Sequence, residues 1–167
     1  ILGKASGWTI DTDLSEADAS FIGEGESNEA GFAVAGAGDV NDDGFDDILI
    51  GAPELSSEYG CGRTYIVLGK GTGWSTDTSL STADACYSGE GPEDRSGISV
   101  AGVGDVNGDG YDDFLVGSTL NEDGGEKAGQ TYLILGRGSG WANDTDLSDA
   151  DASFWGEGAF DFSGTSV

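Results

Sequence analysis

The sequence contains no histidine, which removes a large class of catalytic and metal sites. Neither a Ser-His-Asp catalytic triad nor a Cys-His catalytic pair can form, and zinc sites with imidazole ligands are excluded. Basic residues are also scarce, since six lysines and arginines stand against 32 aspartates and glutamates, for a formal net charge of −26 at pH 7. This sign opposes binding to nucleic acid and to anionic membranes, but it suits cation binding.

Long apolar runs are missing as well. No stretch reaches the roughly 18 apolar residues expected of a membrane span, so we predict no membrane insertion. No signal peptide is visible, and Ile1-Leu2-Gly3 already has the pattern of the end of a strand. We therefore expect the chain to be a mature piece or a fragment, and the missing leader says nothing about its location.

Proline is rare, with two residues, whereas glycine is abundant, with 31. Hydrophobic residues make up 37% of the 167, which is enough for a core. Many glycines between short apolar runs are typical of β proteins with tight turns. The composition therefore predicts an all-β fold.

Two nine-residue stretches share one pattern of oxygen side chains. Asp39–Asp47 and Asp105–Asp113 both carry Asp or Asn at positions 1, 3, 5 and 9 and glycine at position 6, and they start 66 residues apart. Calcium takes six to eight oxygen ligands, and such a loop can supply them from alternate residues. The EF-hand alternative needs an acidic residue at position 12, where this chain has Ile50 or Val116.

We therefore predict two Ca²⁺ sites, in which the position-7 residue contributes its backbone carbonyl. The predicted ligands are Asp39, Asn41, Asp43, Phe45 and Asp47 in the first loop, and Asp105, Asn107, Asp109, Tyr111 and Asp113 in the second. Asp46 and Asp112, at position 8, are expected to point elsewhere. Two alternatives stay open: Mg²⁺ in the same loops, or turns that bind no ion, because Asp, Asn and Gly favour turns by themselves.

The chain repeats itself at intervals of 66 and 67 residues. Gly7-Trp8, Gly73-Trp74 and Gly140-Trp141 mark equivalent points. Each copy has runs typical of four strands, in the first copy Gly31–Gly38, Asp47–Gly51, Arg63–Leu68 and Ala83–Ser88. A helical turn within Leu80–Ala85 is the alternative for the start of the last run. Four antiparallel strands per unit are typical of a propeller blade, and we expect the recurrent tryptophans to pack the linker onto it.

The stretch Gly31–Pro53 resembles an FG-GAP repeat, the blade of integrin α-subunit propellers. Ser96–Ser118 repeats the pattern, and Ser163–Val167 begins a third copy. The long linker, as in Gly73 to Ala83, is more similar to bacterial and environmental members. The resemblance implies a propeller of about seven four-stranded blades, with Ca²⁺ in the hairpin between the first two strands. It also implies an extracellular or cell-surface location and a role in adhesion or ligand binding.

This reading divides the chain into about two and a half blades. We assign residues 1–25 to the end of one blade, 26–91 and 92–158 to two complete blades, and 159–167 to the first strand of a further blade. The chain is too short to close a propeller alone, so we expect it to be a piece of a longer protein, with the assembly of several chains as the alternative. Its unpaired edges and apolar faces would invite self-association with further blades.

The two cysteines, Cys61 and Cys86, fall in the same copy. They lie at the start of its third strand and within its fourth, so adjacent strands would bring them near each other. We predict a disulfide between them, which fits an oxidising compartment; two small buried thiols are the alternative.

Three functions are compatible with these features. The first is a non-enzymatic, calcium-stabilised propeller segment that binds a protein or glycan ligand as an adhesion or interaction scaffold. The second is a repeating structural subunit of an extracellular filament or sheath. The third is the support domain of a secreted hydrolase. Because every carboxylate cluster belongs to the repeat, whereas a catalytic site is usually unique, we assign no catalytic residue.

Overall fold

The computed structural model describes residues 13–54 and 60–167. The predicted Trp8 and the Ile1–Gly3 strand end lie outside these ranges. Within the ranges, all regular structure is β-strand or short 3-10 turn, and no helix has the length and hydropathy of a membrane span. The 3-10 turns are Leu14–Glu16, Leu80–Thr82 and Leu147–Asp149. The strands are β1 (Phe21–Ile22), β2 (Ala33–Gly38), β3 (Asp47–Ala52), β4 (Arg63–Val67), β5 (Thr78–Ser79), β6 (Ala85–Ser88), β7 (Ser96–Gly104), β8 (Asp113–Ser118), β9 (Gln130–Ile134), β10 (Thr145–Asp146) and β11 (Ala152–Trp155).

Two four-stranded antiparallel sheets dominate the molecule. The first has the order β6-β4-β3-β2, with the short β10 pairing in parallel to β6 at its outer edge. The second has the order β11-β9-β8-β7. The all-β class and the four antiparallel strands per repeat are thus confirmed.

The segment before the fourth strand contains both of the predicted alternatives, one after the other. Leu80–Thr82 forms a 3-10 turn, and β6 follows from Ala85. The turn begins at Ser79, whose Oγ accepts the Ser81 N–H at 3.3 Å. Because serine at this position satisfies an N–H group that the turn leaves free, the helical turn is encoded locally.

The inner strands of the two sheets approach each other closely. A Cβ added to Gly102 of β7 would lie 2.5 Å from the carbonyl oxygen of Gly36 in β2. Only glycine allows this distance between backbones. The small-residue composition of β2 and β7 therefore packs the two sheets face to face at their inner edge.

A shared core lies between the sheets. Phe114 of β8 is fully buried, with its ring centroid 6.0 Å from Tyr87 of the first sheet and 6.5 Å from Trp141. In the first copy Trp74 packs edge-on against Phe21 at 6.5 Å. The predicted packing role of the linker tryptophans is confirmed for Trp74 and Trp141.

The outer faces of the two sheets remain open. Val34 of β2 is 66% exposed, whereas its equivalent Val100 is 8% exposed because the first sheet covers it. Phe154 of β11 is 59% exposed, whereas its equivalent Tyr87 is 2% exposed. The prediction that this chain alone does not close a propeller is confirmed.

The predicted disulfide is wrong, since Cys61 and Cys86 are both free thiols. The strand register explains why: Cys86 of β6 pairs with Tyr65 of β4, four residues along the chain from Cys61. Four residues of strand span about 13 Å, whereas bonded cysteines have Cα atoms within about 7 Å. The strands are neighbours as expected, but the cysteines are out of register.

Candidate metal sites in the two hairpin loops

The first candidate loop connects β2 to β3 and is organised by Asp39. Its Oδ1 accepts the Asp43 N–H at 3.0 Å, and its Oδ2 accepts the Gly44 N–H at 2.7 Å. Asn41 Oδ1 accepts the same Asp43 N–H at 3.1 Å, and Asp43 Oδ1 accepts the Phe45 N–H at 3.0 Å. The side chains at positions 1, 3 and 5 are thus brought together along one curled loop.

The second loop, between β7 and β8, repeats this arrangement. Asp105 accepts the N–H groups of Asp109 and Gly110 at 3.1 and 2.9 Å. Asn107 Oδ1 accepts the Asp109 N–H at 2.8 Å, and Asp109 Oδ1 accepts the Tyr111 N–H at 3.0 Å. Both loops therefore reach the same geometry from the same residue types. Each connects the first two strands of its sheet, which is the hairpin position that the FG-GAP resemblance implies.

The aspartates at position 9 face inward. Asp47 is 1% exposed and accepts the N–H groups of Val40 at 2.8 Å and Gly69 at 2.6 Å. Asp113 is likewise buried and accepts from Val106 at 2.9 Å and Gly136 at 2.8 Å. Each of these carboxylates thus bonds its loop to the segment that follows the third strand of the same sheet, β4 for Asp47 and β9 for Asp113.

Charge accumulates in the first loop. Burial raises the pKa of Asp47, the N–H groups of Gly69 and Val40 oppose this rise, and the negative charges of Asp43 and Asp39 add to it. In the second loop, Asp105 is solvent-exposed, and the hydrogen bond that it accepts from the Gly110 N–H lowers its pKa. Three carboxylates in one short loop therefore repel one another, and a cation would relieve that repulsion.

The repeat to which these loops belong is found in other proteins. The FG-GAP repeat family matches residues 30–67 and 96–134, each of which holds one of the two loops. This chain contains two FG-GAP repeats.

The chain with these FG-GAP repeats is similar to curated integrin α subunits. It is 38% identical over 112 residues to integrin alpha-PS2 of Drosophila melanogaster, 37% identical over 105 residues to integrin alpha-7 of Homo sapiens, and 30% identical over 131 residues to integrin alpha-8 of Gallus gallus. These matches cover 64%, 61% and 75% of the chain, but only 8%, 8% and 12% of the relatives. The chain thus spans about a tenth of their length.

The donor set of each FG-GAP loop fits a hard cation. Every side-chain donor is a carboxylate or amide oxygen, and an oxygen that accepts one N–H keeps a further lone pair. Hard dications such as Ca²⁺ select oxygen donors of this kind. The side chains nevertheless point mainly at backbone N–H groups, and within residues 13–54 and 60–167 no three acidic or cysteine side chains already converge on one point.

One residue that the sequence left without a role joins the two loops. Asp112, at position 8 of the second loop, accepts the backbone N–H of Asp39 in the first at 2.9 Å. Position 8 carries an aspartate in both loops, and that recurrence was the only available signal. The partner lies in another repeat, so local spacing does not reveal it.

Proposed function

We propose that this chain is a calcium-stabilised segment of an extracellular or cell-surface β-propeller that serves as an adhesion or interaction scaffold. The observation that carries the proposal is the repetition of one loop geometry in two FG-GAP repeats. Its blades are residues 26–91 and 92–158, flanked by the end of a preceding blade in 1–25 and the first strand of a further blade in 159–167. The similarity to integrin α subunits supports a binding role.

In this proposal, two Ca²⁺ ions are held in the hairpin loops. The first is held by Asp39, Asn41, Asp43 and Asp47 with the backbone carbonyl of Phe45, and the second by Asp105, Asn107, Asp109 and Asp113 with the carbonyl of Tyr111. The ion supplies positive charge that offsets the repulsion among the carboxylates. The loop conformation itself comes from hydrogen bonds: Asp39 and Asp105 accept N–H groups within the loops, and Asp47 and Asp113 bond the loops to the sheets.

The proposed role is binding rather than catalysis, and the ligand is a protein or a glycan. The acidic groups that we assign are equivalent residues of successive repeats, and they hold backbone N–H groups instead of facing a common cleft. A surface with a net charge of −26 disfavours nucleic acid as a partner.

A second candidate is a repeating structural subunit of an extracellular filament or sheath. The open faces at Val34 and Phe154 favour it, because they are equivalent to the two faces that pack against each other inside the chain. Further blades of the same kind, from a second copy or from the same polypeptide, would bury both.

Thermal unfolding in calcium and in chelator tests the calcium proposal. We expect saturating Ca²⁺ to raise Tm by about 10–20 °C. A ligand at 100 times its Kd stabilises the folded state by about 2.7 kcal/mol per site, or about 5.4 kcal/mol for two sites, and each kcal/mol shifts the Tm of a chain of this size by about 2–4 °C. The double variant Asp43→Asn/Asp109→Asn should lose most of this increase. Asp42→Asn/Asp46→Asn is the matched control: it removes the same number of charges from exposed positions of the first loop that are not predicted ligands, and it should keep the increase. Equal Tm values of the unmodified chain in calcium and in chelator would contradict the proposal.

A further inference from the structure

The two hairpin loops are directly bonded to each other. Asp112 Oδ2 accepts the backbone N–H of Asp39 at 2.9 Å, and the Asp112 backbone N–H donates to the Asp39 carbonyl at 3.1 Å. Asp39 is the first residue of one loop and Asp112 the eighth of the other. This pair of bonds therefore crosses from one sheet to the next and fixes the position of Asp39 from outside its own loop.

The contact needs a glycine beside it. A Cβ added to Gly38 would lie 2.0 Å from Asp112 Oδ2, and Gly38 has a φ of +79°. Any other residue would force the Asp112 carboxylate away from Asp39 and strain the backbone. The glycine that ends β2 thus makes room for the neighbouring loop.

A second connection runs through the backbone. Asp113 Oδ1 accepts the Gly136 N–H, and the next N–H along, that of Arg137, donates to the Val40 carbonyl at 2.8 Å. The Val40 N–H in turn donates to Asp47 Oδ2 at 2.8 Å. A continuous path of hydrogen bonds and peptide groups thus links the position-9 aspartates of the two loops.

The backbone path ends at two proposed calcium ligands, Asp113 and Asp47, and the Asp112 bond ends at a third, Asp39. Asp112 stands between Tyr111 and Asp113, and the residue that it holds is Asp39. We propose that Asp112 couples the two loops, so that Ca²⁺ bound in the second raises the Ca²⁺ affinity of the first. This inference rests on the proposed calcium binding and adds that the sites are not independent.

The physical reason is shared ordering. A cation that holds the Tyr111 carbonyl and the Asp113 carboxylate also immobilises Asp112 between them, and through it the backbone of Asp39. The first loop then loses less conformational freedom when it binds its own ion, which is positive cooperativity. By thermodynamic linkage the effect is reciprocal.

The first loop supplies a matched control residue. Asp46 is its position-8 aspartate, equivalent to Asp112, and its side chain is exposed. Across the two described ranges the structure gives the Asp46 side chain no hydrogen-bond partner. Asp46→Ala and Asp112→Ala therefore remove the same charge from equivalent positions, but only the second breaks the bond between loops.

The experiment measures the Ca²⁺ affinity of each loop separately in the full chain. The amide resonances of Gly44 and Gly110 in ¹H–¹⁵N correlation spectra report on the first and second loop. A coupling factor is the ratio of the first-loop Kd with the second loop disabled, by Asp105→Asn/Asp109→Asn, to its Kd with the second loop intact. It is determined in four backgrounds: unmodified, Asp112→Ala, Asp112→Asn and Asp46→Ala.

We expect a coupling factor of about fivefold or more in the unmodified background. It should fall below about twofold with Asp112→Ala, while the backbone path retains the remainder. Asp112→Asn should keep the full factor, because its amide oxygen still accepts the Asp39 N–H. Asp46→Ala should keep it too.

Three results would overturn the inference. Equal first-loop affinities with and without an intact second loop, in the unmodified background, show that the sites are independent; this comparison needs no substitution at position 112. An unchanged factor in Asp112→Ala, or in Asp112→Ser if the alanine variant does not fold, assigns the coupling to other residues. If Ca²⁺ moves neither glycine resonance, calcium binding itself fails and the inference with it, whereas independent binding leaves the proposed function standing.

Discussion

At the scale of single residues, many aspartates of this chain act as acceptors for backbone N–H groups. Asp84 Oδ2 accepts the Leu68 N–H at 2.9 Å, and its equivalent Asp151 accepts the Leu135 N–H at the same distance. Asp39 and Asp105 do the same inside the loops. A charged acceptor makes a stronger hydrogen bond than a neutral one. Some of the aspartates that give the chain its negative charge therefore stabilise turns and loop ends.

Asp94 allows a pH prediction at this scale. It is 6% exposed, and its Oδ2 accepts from the Gly91 N–H at 2.9 Å and from Asn121 Nδ2 at 3.1 Å. Burial raises the pKa of Asp94, and these two hydrogen bonds oppose the rise. A pKa raised on folding means that the folded state binds the proton more tightly. The stability that results is fully present below the unfolded pKa and is lost as pH rises through the folded pKa.

We therefore expect acidification to stabilise the unmodified chain more than an Asp94→Asn variant. The difference in unfolding free energy between the two, measured by urea denaturation in chelator, should shift toward the unmodified chain as pH falls from about 7 toward the unfolded pKa of about 4. The variant carries all the other carboxylates, so it corrects for their titration. A difference that does not change with pH would contradict the prediction.

At the scale of secondary-structure elements, register decides which side chains meet. The strands are short, and each is aligned by the turn before it, so residues that sequence order brings to neighbouring strands can still lie far apart along them. Arg63 pairs with Ser88 and Tyr65 with Cys86, while Gly62 accepts the Gly89 N–H at 3.0 Å. Cys61 thus lies beside the end of β6, away from Cys86.

This register predicts two free thiols of different reactivity. Burial raises the pKa of Cys86 to about 11, and burial also raises that of the half-buried Cys61. We expect alkylation of the native chain to label Cys61 first and Cys86 only after unfolding, because the thiolate is the reactive form and Cys86 is buried. Mass spectrometry of the unreduced chain should show both thiols. A mass lower by two hydrogens, restored by reductant, would contradict the register.

At the scale of the whole molecule, the interface between the two sheets indicates what the two exposed sheet faces would pack against. The first sheet covers Val100, and the second covers Tyr87. The equivalent residues at the open ends, Val34 and Phe154, face solvent. Apolar sheet faces of this kind favour association, whereas a net charge of −26 opposes it.

We expect this balance to shift toward association when calcium neutralises part of the charge. Sedimentation velocity in calcium should show species larger than one chain at high protein concentration. Val34→Asp should weaken that association about tenfold or more, because it places a charge on an apolar face. Thr72→Asp adds the same charge at an exposed linker position and serves as the control. A single small species at every concentration, or equal effects of the two substitutions, would count against these faces as the contact.

The sequence by itself determined the all-β class, the four strands of each repeat and the place of the acidic loops. These features depend on nearby residues: short apolar runs between turn residues, a serine before a helical turn, and aspartates that accept N–H groups a few positions ahead.

Only the tertiary structure decided which distant residues meet. It separated Cys61 from Cys86, buried Asp47 and Asp113 against the chain after the third strand, and placed Asp112 on the backbone of Asp39. The physical reason is that strand register and the stacking of one sheet on the next are collective outcomes of packing. No local pattern in a single repeat specifies them.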